Sequence, residues 1–258
     1  MDRFLKALYN KDAVTYSLVW LGLYLVLNTI TGNIAGAMDL DVNLVGAVPN
    51  LALTIICYYS MKKAGITEEI GLLTKPAEHA PVMLYYLPLL ALPFISLAYG
   101  INTSLSVTDI AILLAMYTSV GFMEEIIFRG LMFKGLVRKW NRYVVVAFIS
   151  FTFAIGHIVS MVAVAQSGTD TVLQVLNSFV VGFMFMAVIL ASGNLTICVI
   201  AHILYNFLAN ISLVGRTTPT MVIINTVITV LYFVYLLFRS KNVKAYFAGA
   251  DTRRASAA

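Results

Sequence analysis

The chain predicts an all-helical, polytopic membrane protein with about eight transmembrane helices and both termini in the cytoplasm, and three observations lead there. Of its 258 residues 60% are hydrophobic and only 11% charged, with a mean hydropathy of +0.90. A soluble domain carries roughly 25% charged residues, so a chain this poor in charge belongs in a bilayer. The apolar residues gather into eight runs of spanning length, and the cations between those runs fall on alternate connections.

The runs cover about residues 14–34, 43–60, 81–99, 108–132, 143–165, 172–192, 195–214 and 220–238. The first is long and has no small-residue cleavage site before a polar region, so it reads as a retained span rather than a signal peptide. Near its end Gly32 and Gly36 form a small-xxx-small spacing, expected to serve helix packing. Pro49 in the second run and Pro88 and Pro93 in the third predict kinks. Tyr58, Tyr59, Trp140 and Tyr143 sit at run ends, where interfacial aromatics belong. Residues 61–80 form the longest polar connection; its Glu68-Glu69 pair and His79 read as solvated. The tail after Ser240 reads as short and mobile. With no internal repeat of the inverted-transporter kind, residues 1–258 read as a single integral membrane domain.

Orientation follows from the cations. Arg3, Lys6 and Lys11 precede the first run; Lys62, Lys63 and Lys75 follow the second; Lys134, Arg138, Lys139 and Arg142 follow the fourth; Arg239, Lys241, Lys244, Arg253 and Arg254 follow the eighth. Those are fifteen of the seventeen Lys and Arg residues, all on one side of an even number of spans. Only Arg216 falls on the other side, and Arg129 lies inside the fourth run. Cytoplasmic loops hold the excess of Lys and Arg, which puts both termini in the cytoplasm. The net charge of +5 is therefore a topology signal and requires no nucleic-acid partner. Cys57 and Cys198, the only cysteines, fall in apolar runs and suggest neither a disulfide nor a reactive thiol.

The fourth run holds Phe122-Met123-Glu124-Glu125-Ile126-Ile127-Phe128-Arg129-Gly130-Leu131. An ionisable group at membrane depth costs at least ~2.5–3.5 kcal/mol and normally faces a bundle interior or a water cavity. On a helix Glu125 and Arg129 meet at i,i+4, while Glu124 is rotated about 100° away. One acid is thus neutralised within its helix and the other is free to meet neighbouring helices. Two histidines lie in other runs: His157 in the fifth, and His202 in the seventh, sharing a face with Asn206. Polar groups can simply tie membrane helices together, but packing could use Ser or Asn without placing charges at depth. A carboxylate with imidazoles can activate water, directly or through a bound metal, and an amide with an imidazole can donate to an oxyanion. That set suits amide hydrolysis. There is no His-Glu-x-x-His pair and no Gly-x-Ser-x-Gly elbow.

Glu124-Glu125-x-x-x-Arg129, Phe153-x-x-x-His157 and His202-x-x-x-Asn206 together resemble the motif set of the CAAX-protease and bacteriocin-processing (CPBP, or Abi) intramembrane proteases. Phe128-Arg129-Gly130-Leu131 is similar to the family's Phe-Arg-Gly-x-Leu continuation, and Gly193-Asn194-Leu195 to its Gly-Ser-Leu run, with Asn194 a departure. The resemblance covers about residues 80–210. It implies an eight-helix bundle whose polar cavity opens toward the cytoplasmic leaflet, and endopeptidase activity there. By motif position Glu124 would be the general base and His157 its partner. His202 and Asn206 would stabilise the oxyanion, and Glu125 and Arg129 would form a supporting ion pair. Family members have been described as metal-dependent and as metal-independent. A divalent metal such as zinc, if used, would fall to His157, His202 and Glu124. The partners implied are the bilayer and a membrane-associated peptide or lipidated (CAAX-type prenylated) protein, in a prokaryotic plasma membrane. Two other readings remain: a non-catalytic bacteriocin self-immunity or membrane binding protein, and a proton-coupled transporter, since buried Glu and His also mark proton relays.

Overall fold

A computed structural model describes residues 2–76, 80–158 and 167–248, the side chains of Asp2 and Phe4 excepted. His79 and the end of the fifth run lie outside the described residues. The described chain is helical and has no strand, only an isolated bridge between Ile101 and Ser212.

Among the described residues eleven α-helices follow in order: α1 Asp2–Lys11, α2 Ala13–Met38, α3 Val42–Lys63, α4 Leu87–Phe94, α5 Val107–Glu124, α6 Phe133–Leu136, α7 Arg142–Gly156, α8 Gly168–Ser192, α9 Leu195–Ile211, α10 Pro219–Arg239 and α11 Lys241–Ala248. Between α5 and α6 the chain keeps winding as a π-helix, Glu125–Met132, so one 30-residue element runs from Val107 to Leu136. Five elements are long and apolar enough to cross a membrane: α2, α3, Val107–Leu136, α8 and α10. The other three expected spans are shorter apolar helices, Leu84–Tyr99, Arg142–Gly156 and Leu195–Ile211. The chain is an integral membrane protein; among the described residues five helices are of spanning length and three further apolar helices are shorter.

Local chemistry explains most boundaries. Asp12, Asp41, Asn141, Ser167, Asn194 and Thr218 each cap a helix N-terminus with a side-chain acceptor, and Ser106 and Asp109 form a reciprocal capping box on α5. Gly193 ends α8 in the left-handed region. In the third run, positive φ at Leu84, Tyr85 and Tyr86 and the flanking 3-10 turns leave only eight residues of α-helix, with Pro88 in its first turn and Pro93 near its end. The second run stays continuous through Pro49.

Two expectations are corrected. As far as Ala248 the tail is not free chain, because α11 packs back: Arg142 donates to the Tyr246 carbonyl, and Asn242 Nδ2 to the Ala191 carbonyl at 2.7 Å; residues 249–258 lie outside the described residues. Gly32 and Gly36 do not serve packing within the chain, since a Cβ at either would meet nothing within 4 Å. The spacing matched a packing motif, but this face of α2 has no helix against it.

The connections sort onto two faces. On one, Lys6 pairs with Glu69, Lys139 with Asp12 at 3.0 Å, and Asn194 with the Thr74 carbonyl, alongside α1 and α11. The Lys139 ammonium holds the Asp12 carboxyl down at about 2, so this tie persists above the ordinary carboxylate range and is lost as pH falls through about 2. On the opposite face the Asn102 amide donates to the Ile211 carbonyl (2.8 Å), the Leu213 amide to the Gly100 carbonyl (2.9 Å), and Arg216 pairs with Asp170 (3.4 Å).

At the centre α5 lies directly against α9 because Gly121 has no side chain: a Cβ there would sit 2.9 Å from the Ile203 backbone nitrogen. Replacing Gly121 by Ala is therefore expected to destabilise the protein by about 1–3 kcal/mol. Gly22→Ala, where an added Cβ meets nothing within 4 Å, is expected to be neutral or slightly stabilising. Thermal unfolding of both variants in detergent checks the contrast.

Candidate active site

The π-helix carries Glu125 and Arg129, both fully buried. Arg129 Nη1 donates to Glu125 Oε1 at 3.0 Å, the expected i,i+4 pair. A wider π turn of this kind often occurs at functional positions, and nothing in the sequence announces it. The guanidinium is flanked by rings: its Cζ lies 3.8 Å from the centroid of Phe153 and 5.8 Å from that of Phe185. A Cβ on Gly182 would lie 2.6 Å from Arg129 Nη2, so α8 has room for this cation only because residue 182 is glycine.

Glu125 is not confined to its own helix. The same Oε1 lies 2.8 Å from His202 Nδ1. A carboxylate only accepts, so Nδ1 carries a proton, and the other ring nitrogen, Nε2, lies on the far side of the ring. That nitrogen faces Glu124 Oε2 at 3.6 Å. The adjacent glutamates thus straddle one imidazole. Glu124 Oε1 accepts from Tyr24 on α2 at 3.2 Å, while its buried Oε2 has no hydrogen-bond partner among the described residues.

His157, just past the end of α7, is the second imidazole. Its Nδ1 lies 3.2 Å from the Gln174 amide nitrogen. An amide nitrogen only donates, which leaves the His157 proton on Nε2. His202 thus has a ring nitrogen 3.6 Å from Glu124, and His157, the partner that motif position implied, lines the same cavity. Asn206 follows His202 one turn later on α9 and lines the same cavity.

That cavity has a volume of about 660 Å³. Glu124, His157 and His202 lie at its inner end, and Asn206 and Asn210 lead outward along α9. Asn43, Asp170 and Arg216 lie at its outer end. Those outer residues belong to the face opposite the termini. Cytoplasmic termini and a cavity opening toward the cytoplasm, both expected from the sequence, thus exclude each other.

Several residues around the site escaped sequence reading: Tyr24, Gln174, and a buried cluster in which Asn177 and Asn225 donate to the Tyr205 hydroxyl at 2.8 and 3.0 Å. Their signal was an uncharged polar side chain in an apolar run. Asn194, the departure from the family run, caps α9 by accepting from the Ile197 amide at 3.2 Å, as Ser could.

Among the described residues no three His, Cys, Asp or Glu side chains are placed to hold a metal ion. His202 is held by Glu125 through one nitrogen, and His157 by Gln174. As placed, His157, His202 and Glu124 do not form such a set.

Residues 106–208 match the model of a protein family described as type II CAAX prenyl endopeptidase Rce1-like. This segment is Rce1-like. It is the kinship that the three motifs resemble, and Glu124, Glu125, Arg129, His157, His202 and Asn206 all fall inside it. Tyr24, which holds Glu124, lies outside it, so the Rce1-like segment does not contain the whole site. No curated protein and no solved structure matches the chain.

Removing the cation while keeping its bulk exposes what it does. Arg129→Met leaves Glu125 charged, buried and bonded only to His202, and is expected to cost about 3–5 kcal/mol. Thermal unfolding of Arg129→Met against the double variant Arg129→Met, Glu125→Gln checks this, with partial recovery expected in the double variant.

Proposed function

We propose that the chain is an intramembrane endopeptidase that hydrolyses a peptide bond in a membrane-associated peptide or protein by direct activation of water. One observation carries the reading: the partnerless Oε2 of Glu124, at the inner end of a polar-walled cavity, with His202 Nε2 at 3.6 Å. A carboxylate anchored through one oxygen and free at the other can hold a water molecule and take its proton.

Water bound at Glu124 Oε2 loses a proton to that oxygen as its own oxygen attacks the scissile carbonyl carbon. The carbonyl π electrons move to oxygen, giving a tetrahedral oxyanion. His157 Nε2–H and the Asn206 amide, both lining the cavity, are the donors available to that charge. When the carbon–nitrogen bond breaks, the proton on Glu124 passes to the departing amine, and the carboxylate is regenerated. The lone pair of His202 Nε2 beside Glu124 accepts a hydrogen bond from the water or from the protonated carboxyl. Glu125 and Arg129 touch no reacting atom; they position His202.

The Rce1-like segment supports an endopeptidase acting at a membrane, and the cavity is large enough for an extended backbone of a few residues. Within that class we propose two substrate types, a prenylated CAAX-type C-terminus and a secreted or bacteriocin-like peptide.

Cleavage of a quenched prenylated peptide and of a membrane-peptide library by purified protein separates the possibilities. Glu124→Gln is expected to lower kcat about 10²–10⁴-fold. Asn206→Ala should cost about 10²–10³-fold, read as kcat rather than KM. Activity of the wild type should survive a strong zinc chelator. Unchanged cleavage by Glu124→Gln would overturn the proposal.

A further inference from the structure

We infer that the active-site cavity is entered from the extracytoplasmic side of the membrane, so that the peptide bond cut is one presented from outside the cytoplasm. The substrate half of this statement rests on the protease reading above; the side of entry does not.

Two independent observations combine. The first is where the cavity lies. From Glu124 it passes Asn206 and Asn210 and ends among Val42, Asn43, Asp170, Gly215, Arg216 and Thr217. Those last six come from the first turns of α3 and α8 and from the connection between α9 and α10, all on the face opposite the termini. The cavity reaches the surface there, because the Arg216 side chain is 66% exposed. At the other end it is closed by packing. The next turns beyond Glu124 are fully buried at Ile126, Ile127 and Leu131, and Gly130 is sealed by Ile70 and Leu195.

The second is charge. On the face of the termini stand Lys6, Lys11, Lys62, Lys63, Lys75, Lys134, Arg138, Lys139, Arg142, Arg239, Lys241 and Lys244, with Arg3 beside them. The cavity face carries Asp39, Asp41, Asp109 and Asp170 against the single cation Arg216. The lysines and arginines lie in short connections next to helix ends, where the positive-inside bias operates. Each cation is strongly disfavoured on the translocated side, and thirteen against one leaves no balanced alternative orientation. The basic face is cytoplasmic, and the cavity mouth is outside.

The three-dimensional path was needed for this conclusion. The sequence places Glu124 near the middle of its run, about equally far from both faces, and only the cavity shows which face water and peptide can use.

Cysteine labelling in intact cells tests the inference without requiring activity. Cys57 and Cys198 are fully buried, so the wild type supplies the blank. Asn43→Cys and Thr217→Cys place a thiol at the mouth, and Asn10→Cys places one on the basic face. A sulfonated, membrane-impermeant maleimide added outside is expected to label the first two in intact cells, and Asn10→Cys only after permeabilisation. Labelling of all three after denaturation controls for expression, and two mouth positions guard against one variant failing to fold. The reverse pattern, or equal labelling of all three in intact cells, overturns the inference. The protease reading is scored separately on the same cells. External labelling of Thr217→Cys should stop cleavage of an externally added substrate. If labelling is external but cleavage is untouched by Glu124→Gln, the side of entry stands and the proposed function falls.

Discussion

The structure depends on keeping one positive charge at membrane depth. Arg129 cannot lose its proton, so the bundle around it is built to make the guanidinium tolerable. Glu125 supplies the counter-charge from the same helix, at 3.0 Å. Phe153 from α7 and Phe185 from α8 turn ring faces toward the cation, which attract it electrostatically where water is absent. Gly182 on α8 gives up its side chain to make room. Three helices thus meet on one side chain, and His202 on α9 joins them through the other lone pairs of Glu125 Oε1. A buried ion pair is a poor source of stability by itself, because desolvation offsets the attraction. Here its effect is to fix positions. The pair orients an imidazole, and the imidazole faces Glu124 Oε2, a buried carboxylate oxygen without a hydrogen-bond partner among the described residues.

Consecutive glutamates are suited to that task for a geometric reason. Adjacent residues on a helix diverge by about 100°, so they cannot both point at one atom, but they can approach the two separated nitrogens of one ring. Glu124 closes α5 and Glu125 opens the π-helix, and His202 sits between them. The Nδ1–H bond to Glu125 fixes the orientation of the ring and places Nε2 3.6 Å from Glu124 Oε2.

How much of this was legible in the sequence divides along a physical line. Spacing within a single helix could be read: the Glu125–Arg129 pair and the shared face of His202 and Asn206 follow from helical periodicity alone. The presence of charge in an apolar run was equally plain, since only a structured interior makes it tolerable. Which residues meet across helices could not be read, because that depends on each helix's rotation and tilt. Hence Tyr24 and Gln174 went unseen, as did the contact of His202 with both glutamates. The π-helix has no compositional signature. The C-terminal α11 was taken for free chain because its eight residues average to neither apolar nor polar and only packing on Arg142 and Ala191 orders it. Gly32 and Gly36 show the opposite failure, a motif spacing with no helix facing it.

The three apolar helices too short for a full crossing have a common location. Phe153 of α7, His202 and Asn206 of α9, and Leu92 of α4 with the following Ser96, all line the cavity. A 17-residue helix spans about 25 Å and a 15-residue helix about 22 Å, against a hydrocarbon thickness of about 30 Å. The end of α9 must therefore lie within the depth of the bilayer, and the polar backbone beyond it needs hydrogen-bond partners there. The loop after α9 finds some of them in the residues before α5, where the Asn102 and Leu213 amides bond to the Ile211 and Gly100 carbonyls. Non-helical chain at membrane depth persists only where protein or water satisfies it. The cavity meets that need with Asn206 and Asn210 of α9 itself and with Asn43 and Gln174 from the long helices α3 and α8, so long and short helices together build the polar path that ends at Glu124.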